Sequence, residues 1–180
     1  EEENFSYSSI LSTLRKETVR QANFLRKILT DNIIPDLRKN KIVFYQHEDE
    51  VNAKHFEFII EYFNTHVASF LQPISLQSNQ TPFLEDRALY FIFQLAQKGQ
   101  AEQLYLLNIP SQVLPRFLVL PKIGTTHFII YLDDIIRIGA RQLFSDFSIK
   151  AFYSIKINRD AGLNLDEDSG EIVEQIKQSL

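Results

Sequence analysis

The stretch that decides the fold is residues 149–168, which read IKAFYSIKINRDAGLNLDED. Its first half alternates apolar and polar side chains, which is the period of a β-strand with one buried face. The side chains predicted to share that face are Ala151, Tyr153, Ile155 and Ile157. The alternation ends in the polar, turn-forming run at 158–162. An acidic loop follows, and Asp168 and Ser169 are predicted to begin a last helix.

The N-terminal part of the chain predicts two long amphipathic helices. Ser8 or Ser9 caps the first, in which apolar residues recur every three or four positions as far as Leu29. The second helix, which Asp49 caps and Pro73 ends, has an apolar stripe with the same period. The members of that stripe are Phe56, Ile59, Ile60, Phe63, Val67 and Phe70. Two such helices are expected to pack against each other, against a sheet, or against both.

The period of the apolar residues changes from near four to two after the polar loop at 77–82. One short strand is predicted before this loop, at 41–46. Four more strands are predicted after it, at 89–95, 104–109, 127–132 and 149–158. Lys98-Gly99-Gln100 is the predicted hairpin turn, and the strands on either side of it are apolar on both faces, as in a covered sheet. Residues 110–121 contain three prolines and are expected to form a short helical turn and an extended tether. Asp133 and Asp134 begin a helix that runs to Leu143.

These elements predict a single α+β domain over residues 1–180, with an internal boundary near 77–82. Its mixed, largely antiparallel sheet of about four to six strands is expected to pack with the two N-terminal helices and with shorter C-terminal helices. The sequence contains no Met, even at position 1, so we expect a domain excised from a larger protein. The alternative is that methionine is present as a modified residue.

Composition excludes several classes of function. The net charge of −4 provides no global basic field for nucleic acid or anionic lipid. One basic stripe lies on the first helix, either as a solvated face or as a partner-facing surface, and consists of Arg15, Lys16, Arg20, Arg26 and Lys27. With no Cys there is no disulfide, thiol nucleophile or thiolate metal site. No apolar run is long enough to span a membrane, so the chain is predicted to be soluble.

Motifs for phosphate or metal chemistry are missing from the sequence. It has neither of the glycine-rich patterns that hold nucleotide phosphates. Asn164, Asp166 and Asp168 have the spacing of a calcium loop, but Ser169 and Gln175 replace its glycine and glutamate, and an acidic helix start explains the same residues. Each histidine is predicted to lie at the surface, and the four are His47, His55, His66 and His127. We therefore predict no catalytic, cofactor-binding or metal-binding residue.

Four blocks of the sequence follow one another at a characteristic spacing: VLPRFLVLP at 113–121, FIIYLDDII at 128–136, LF at 143–144 and YSIKINRDAGLNLDED at 153–168. In this order they resemble the polyphosphate kinase family, specifically its middle or head domain. The resemblance implies a parent enzyme that reversibly transfers the terminal phosphate of ATP to polyphosphate through a phosphohistidine, with magnesium. It also implies that the nucleotide site and the phosphorylated histidine belong to other domains, so no histidine here takes that role.

The resemblance further implies that this domain is a scaffold that supports dimer assembly and walls the catalytic centre. Its expected partners are the other domains of the parent kinase, a second copy of the chain and, through the parent, polyphosphate, in the cytoplasm or attached to a membrane through the parent. Arg116, Lys122 and Arg159 are the candidates for facing phosphate or an interface, because arginine offers a planar fork to phosphate oxygens. An internal salt bridge is the simpler role for Arg159. Two alternatives stay open: a free-standing interaction module and a small phosphate-handling enzyme.

Overall fold

The computed structural model describes residues 7–46, 50–77 and 82–158 of the chain. The helices within these ranges are α1 (Tyr7–Ile28), α2 (Ile34–Lys39), α3 (Ala53–Tyr62) and α4 (Leu132–Leu143). The strands are β1 (Ile42–Phe44), β2 (Ile74–Ser75), β3 (Leu89–Ala96), β4 (Gln103–Ile109), β5 (Phe117–Ile123), β6 (Thr126–Tyr131) and β7 (Ser148–Lys156). The π-helical turns Leu29–Ile33 and Phe63–Val67 follow α1 and α3 directly. The predicted α+β class is confirmed.

The chain divides into two compact units. The first consists of Glu1–Ile60 with Arg116–Ile135, and the second of Glu61–Pro115 with Ile136–Leu180. Residues 78–81, which make up most of the predicted internal boundary, lie outside the described residues, as does Asp49. The single domain over 1–180 therefore stays a prediction.

The first unit contains a three-stranded sheet in the order β1-β6-β5. β1 is parallel to β6 and β5 is antiparallel to it, so this sheet is mixed as predicted. The tether predicted up to Pro121 is wrong, because Pro121 lies inside β5. A proline fits there because β5 is an edge strand among those described and its register shifts between Leu120 and Ile123, where the ladder does not need an N–H. The short helical turn is confirmed, since the N–H groups of Val113 and Leu114 donate to the Pro110 carbonyl.

The second unit contains an antiparallel four-stranded sheet in the order β2-β4-β3-β7. The predicted hairpin joins β3 to β4, with Gly99 at φ +79° and the Gln100 N–H donating to the Gln97 carbonyl at 3.1 Å. β3 lies between two partners, and Phe91, Phe93 and other side chains on both of its faces are buried, as the two-sided apolar pattern predicts. The prediction that the run at 127–132 belongs to the same sheet as these strands is wrong, because this run forms β6 in the other sheet.

The stretch from residue 149 provides β7, at an edge of the four-stranded sheet as far as the chain is described. Ile155 and Ile157 pack against a buried cluster that consists of Tyr90 on β3, Leu106 on β4 and Ala88 just before β3, so their predicted burial is confirmed. Tyr153, predicted to share their face, is instead 57% exposed. Phe152 on the opposite face packs against Phe91 and Phe93, with ring centroids 5.8 and 6.1 Å away. The turn after residue 158, the acidic loop and the predicted last helix lie outside the described residues.

The middle of the predicted apolar stripe is confirmed, since Ile59, Phe63 and Val67 are buried, but its two ends are wrong. The buried side chains from α3 through the following π-helical turn recur every fourth residue and are His55, Ile59, Phe63 and Val67. Phe56 and Phe70, which were predicted to face inward, are 48% and 47% exposed. A π-helical turn holds more residues than an α-helical turn, so an apolar period of 3.6 residues does not continue through it. On α1 the helix itself is confirmed, but none of its described side chains is buried.

Candidate phosphate-facing site

The register of β5 against β6 determines where the first candidate, Arg116, lies. Phe117 at the start of β5 pairs with Tyr131 at the end of β6, and the Leu132 N–H donates to the Arg116 carbonyl at 2.9 Å. α4 begins directly after β6, so Asp133 stands in its first turn, opposite Arg116. The acidic helix start and the predicted cation are therefore brought together by local strand pairing.

Arg116 forms a partly buried ion pair with Asp133. Its Nη2 donates to Oδ2 of Asp133 at 2.8 Å, and the side chains are 32% and 25% exposed. Arg116 Nη1 and Asp133 Oδ1 are both buried and have no hydrogen-bond partner among the described residues. The guanidinium also lies 6.0 Å from the centroid of the Tyr131 ring. The positive charge of Arg116 is thus largely neutralised by contacts within the fold.

Burial determines the protonation behaviour of this pair. Burial raises the pKa of the Asp133 carboxyl above its ordinary value, and the charge of Arg116 opposes that shift without cancelling it. Asp134, the next residue, adds a further upward influence on the same pKa. The charge of Arg116 therefore favours the ionised form of Asp133, but it offsets only part of the desolvation penalty that burial imposes on that carboxylate.

An aromatic cluster supports the pair from the sheet and consists of Phe44, Phe117 and Tyr131. The Tyr131 ring lies 4.7 Å from Phe44 and 5.0 Å from Phe117, measured between centroids. The three rings come from β1, β5 and β6, so side chains on all three strands of the sheet fix the ring beneath Arg116. Such a platform holds the guanidinium in one orientation.

The other two candidates are placed differently. Lys122 is exposed on β5 and forms no ion pair with any residue in the described part of the chain. It is six residues from Arg116, or roughly 20 Å along an extended strand, so the two cations do not converge. Arg159 lies outside the described residues. The role of these three residues at phosphate or at an interface stays a prediction.

Sequence reasoning missed a buried polar network in the first unit, and the surface position predicted for His55 is wrong. His55 is 1% exposed. Its Nε2 lies 2.8 Å from the Pro121 carbonyl oxygen, which can only accept, so Nε2 donates. Its Nδ1 then accepts from the Tyr45 hydroxyl at 3.0 Å, and that hydroxyl accepts from the Asn52 N–H at 3.3 Å. Every ring nitrogen is satisfied, which gives His55 a structural role.

The remaining described histidines lie at the surface, as predicted. His66 is exposed, stacks on Tyr62 at 4.7 Å, and lies 2.6 Å from the Thr65 hydroxyl through Nδ1. His127 is exposed on β6, near the strand start where it was predicted. His47 lies outside the described residues. Within the described ranges, no group of three or more His, Asp or Glu side chains could hold a metal ion, and no helix is long and apolar enough to cross a membrane.

The raised pKa of Asp133 predicts how the stability of this site depends on pH. The folded state binds the Asp133 proton more tightly than the unfolded state, whose carboxyl has a pKa of about 3.9. The contribution of Asp133 to the free energy of unfolding is therefore highest below that pH and falls as pH rises through the folded-state pKa. In Asp133→Asn this dependence is absent. Urea unfolding of both proteins from acid to neutral pH should show the parent losing stability relative to the variant.

Arg116→Met provides the matched second variant for this prediction. Removing the opposing cation leaves burial unchecked, so the pKa of Asp133 rises further and the loss of stability extends to higher pH. The double variant with Asp133→Asn should again lack the dependence. A parent protein that gains stability over Asp133→Asn as pH rises would contradict the assignment.

Comparisons with known proteins point in one direction. A family model described as "Polyphosphate kinase middle domain" matches residues 54–180. A polyphosphate kinase of Exiguobacterium sp. is 31% identical over 145 residues, which cover 78% of this chain and 20% of that protein. A polyphosphate kinase of Vibrio vulnificus is 31% identical over 160 residues, which cover 84% of this chain and 23% of that protein.

A solved structure agrees with these sequence matches. The crystal structure of polyphosphate kinase from Porphyromonas gingivalis matches with a TM-score of 0.76 and 26% identity. The match covers 85% of this chain and 26% of that one. The chain therefore spans only about a fifth to a quarter of the length of these relatives.

Proposed function

The chain belongs to the polyphosphate kinase middle-domain family, and on that premise we propose that it is the structural middle domain of an enzyme that makes polyphosphate from ATP. The observation that carries this proposal is the family match over residues 54–180. The parent enzyme transfers the terminal phosphate of ATP reversibly through a phosphohistidine. ATP and magnesium bind to other parts of the parent, which acts in the cytoplasm or at a membrane surface.

The proposed role of this segment is to hold the parent together, both between its domains and as a homodimer. The exposed apolar residues of α1 support this role, because an unburied apolar face marks a surface that meets another element or chain. The ion pair of Arg116 supports this role as well, because a guanidinium that is 2.8 Å from the Asp133 carboxylate stabilises the fold and is less available to a ligand. Lys122, exposed on β5, is the described candidate whose ammonium can meet polyphosphate of the parent enzyme.

Incubation with γ-labelled ATP and magnesium tests the proposed division of labour. We expect no polyphosphate and no acid-labile phosphate on any imidazole of the 180-residue chain, because the transferring groups belong to the rest of the parent. The full-length polyphosphate kinase of Exiguobacterium, assayed in parallel, shows that the conditions support turnover. Label on His47, His55, His66 or His127 would overturn the proposal.

The second candidate function is a free-standing interaction module with the same fold, which the exposed face of α1 would also suit. The encoding gene separates the two functions. An open reading frame that continues well beyond Leu180 supports a domain of the kinase, and a stop codon near Leu180 supports the module.

A further inference from the structure

One face of α1 carries a row of residues with the spacing of paired helices. We define the α1 seam as the six residues that alternate three and four positions apart: Leu11, Leu14, Thr18, Gln21, Leu25 and Ile28. The average repeat of 3.5 residues keeps these side chains on one line along two helices that lie side by side. Leu11 and Leu25 are 66% and 68% exposed, so no described residue covers them.

The cations of α1 lie away from this seam. At 100° per residue, Lys16, Arg20 and Lys27 project from the opposite side of the helix. Arg20 is also held by Glu17 on its own helix, at 2.6 and 2.9 Å. A partner that contacts the seam therefore meets apolar side chains at its two ends, the uncharged Thr18 and Gln21 in its middle, and charge only at its margins.

We propose that the α1 seam pairs with the α1 seam of a second copy of this chain, antiparallel, about a two-fold axis between Val19 and Arg20. The inference rests on the proposed homodimer and specifies its contact surface. The register brings complementary seam positions into layers, namely Leu11 with Ile28, Leu14 with Leu25 and Thr18 with Gln21. The symmetry repeats each layer, so four apolar layers flank two polar ones.

Charge favours the antiparallel orientation. In that register each of the five cations lies level with an uncharged residue of the second copy. The level pairs are Arg15 with Phe24, Lys16 with Asn23, Arg20 with Val19, Arg26 with Thr13 and Lys27 with Ser12. A parallel pair would instead place each cation level with its own counterpart, and it would also align the helix dipoles unfavourably.

The polar layers fix the register. The Thr18 hydroxyl donates to the Leu14 carbonyl at 2.8 Å, which leaves its oxygen able to accept from a side-chain amide. Gln21 of the second copy supplies that amide in the antiparallel register. A polar layer at one height selects a register because any shift would place a leucine against these groups.

Disulfide trapping tests the pairing, since the chain has no cysteine of its own. Leu11→Cys and Ile28→Cys variants of the full chain are mixed and oxidised. Antiparallel pairing brings these positions within the 4.4–6.8 Å that a disulfide spans, so the mixture should cross-link roughly tenfold more than either variant alone. Alone, the two copies of Cys at either position are about 26 Å apart along the axis. Lys16→Cys mixed with Asn23→Cys is the matched control, at equal height on the outer faces.

The outcomes separate this inference from the proposed homodimer. Cross-linking of the Leu11→Cys and Ile28→Cys mixture, with neither variant alone nor the control cross-linking, supports the antiparallel seam. Cross-linking of either variant with itself overturns it in favour of a parallel pair. No cross-linking, with light scattering still showing a dimer, overturns the seam and leaves the homodimer on another surface. A strict monomer at high concentration overturns both.

Discussion

We expect Gly139→Ala to lower the midpoint of thermal unfolding by roughly 4–8 °C. In a solvent-exposed helix a Gly→Ala change raises the free energy of unfolding by about 1 kcal/mol. A decrease at Gly139 would therefore show that the added methyl group clashes with a neighbour. At Gly139 the added methyl would meet the buried ring of Phe63, with Cε2 only 2.5 Å away and two more ring atoms closer still. Relieving such a contact costs about 3 kcal/mol, which leaves a net loss of about 2 kcal/mol. Differential scanning calorimetry measures it.

Two further variants show whether Phe63 causes the loss. Gln142→Ala changes an exposed residue of the same helix and should alter stability by no more than about 0.5 kcal/mol. Adding Phe63→Leu to Gly139→Ala removes the ring and should recover about 1 kcal/mol relative to the sum of the single changes. A Gly139→Ala variant as stable as the parent would mean that α4 does not approach Phe63 so closely.

His55→Phe should destabilise the protein by about 3 kcal/mol. Phenylalanine fills the space of the imidazole but offers neither the N–H that the Pro121 carbonyl accepts nor the acceptor that the Tyr45 hydroxyl needs. Each buried polar group left without a partner costs about 1–3 kcal/mol. Urea unfolding at neutral pH, followed by far-ultraviolet circular dichroism, measures the loss.

The control for this prediction is His66→Phe, which makes the same chemical change at an exposed histidine. It keeps the stacking on Tyr62 and should stay within about 0.5 kcal/mol of the parent. Tyr45→Phe should weaken the protein by about 1–2 kcal/mol, and the double variant with His55→Phe by less than the sum, because both remove the same hydrogen bond. Equal effects of His55→Phe and His66→Phe would refute the structural role of His55.

Local periodicity predicts most elements of this fold because most of them obey it. The hairpin at Gly99 and the burial of β3 on both faces follow from residue type alone. On β7 residue type predicts the strand but not the exposure of Tyr153. The failure at Pro121 has a physical cause: a proline forbids a central strand, but sequence alone does not show which strand will lie at an edge. The division of the strands between two sheets depends on the parallel pairing of β1 with β6, which links residues about 85 positions apart.

The candidate site shows the same limit. Arg116 and Asp133 are recognisable as a cation and a helix-starting acid, but their contact depends on the register of β5 against β6. The network of His55 was hidden because a histidine beside Phe56 reads as the polar side of a helix. The ring of His55 can be buried because its Nε2–H donates to the Pro121 carbonyl, and the sequence does not show that these two residues, 66 positions apart, are in contact.

The irregularity in β5 has a consequence for how molecules of this protein meet at high concentration. Among the described strands β5 lies at the edge of its sheet and exposes Phe117 and Val119, and strands of other molecules can add to such an edge and grow into fibrils. Pro121 removes one donor from that rim, the break in register misaligns the next, and Lys122 adds a charge that repels its equivalent in another molecule. Pro121, which makes β5 hard to predict from the sequence, thus also opposes the addition of further strands to its edge and so the formation of insoluble aggregates.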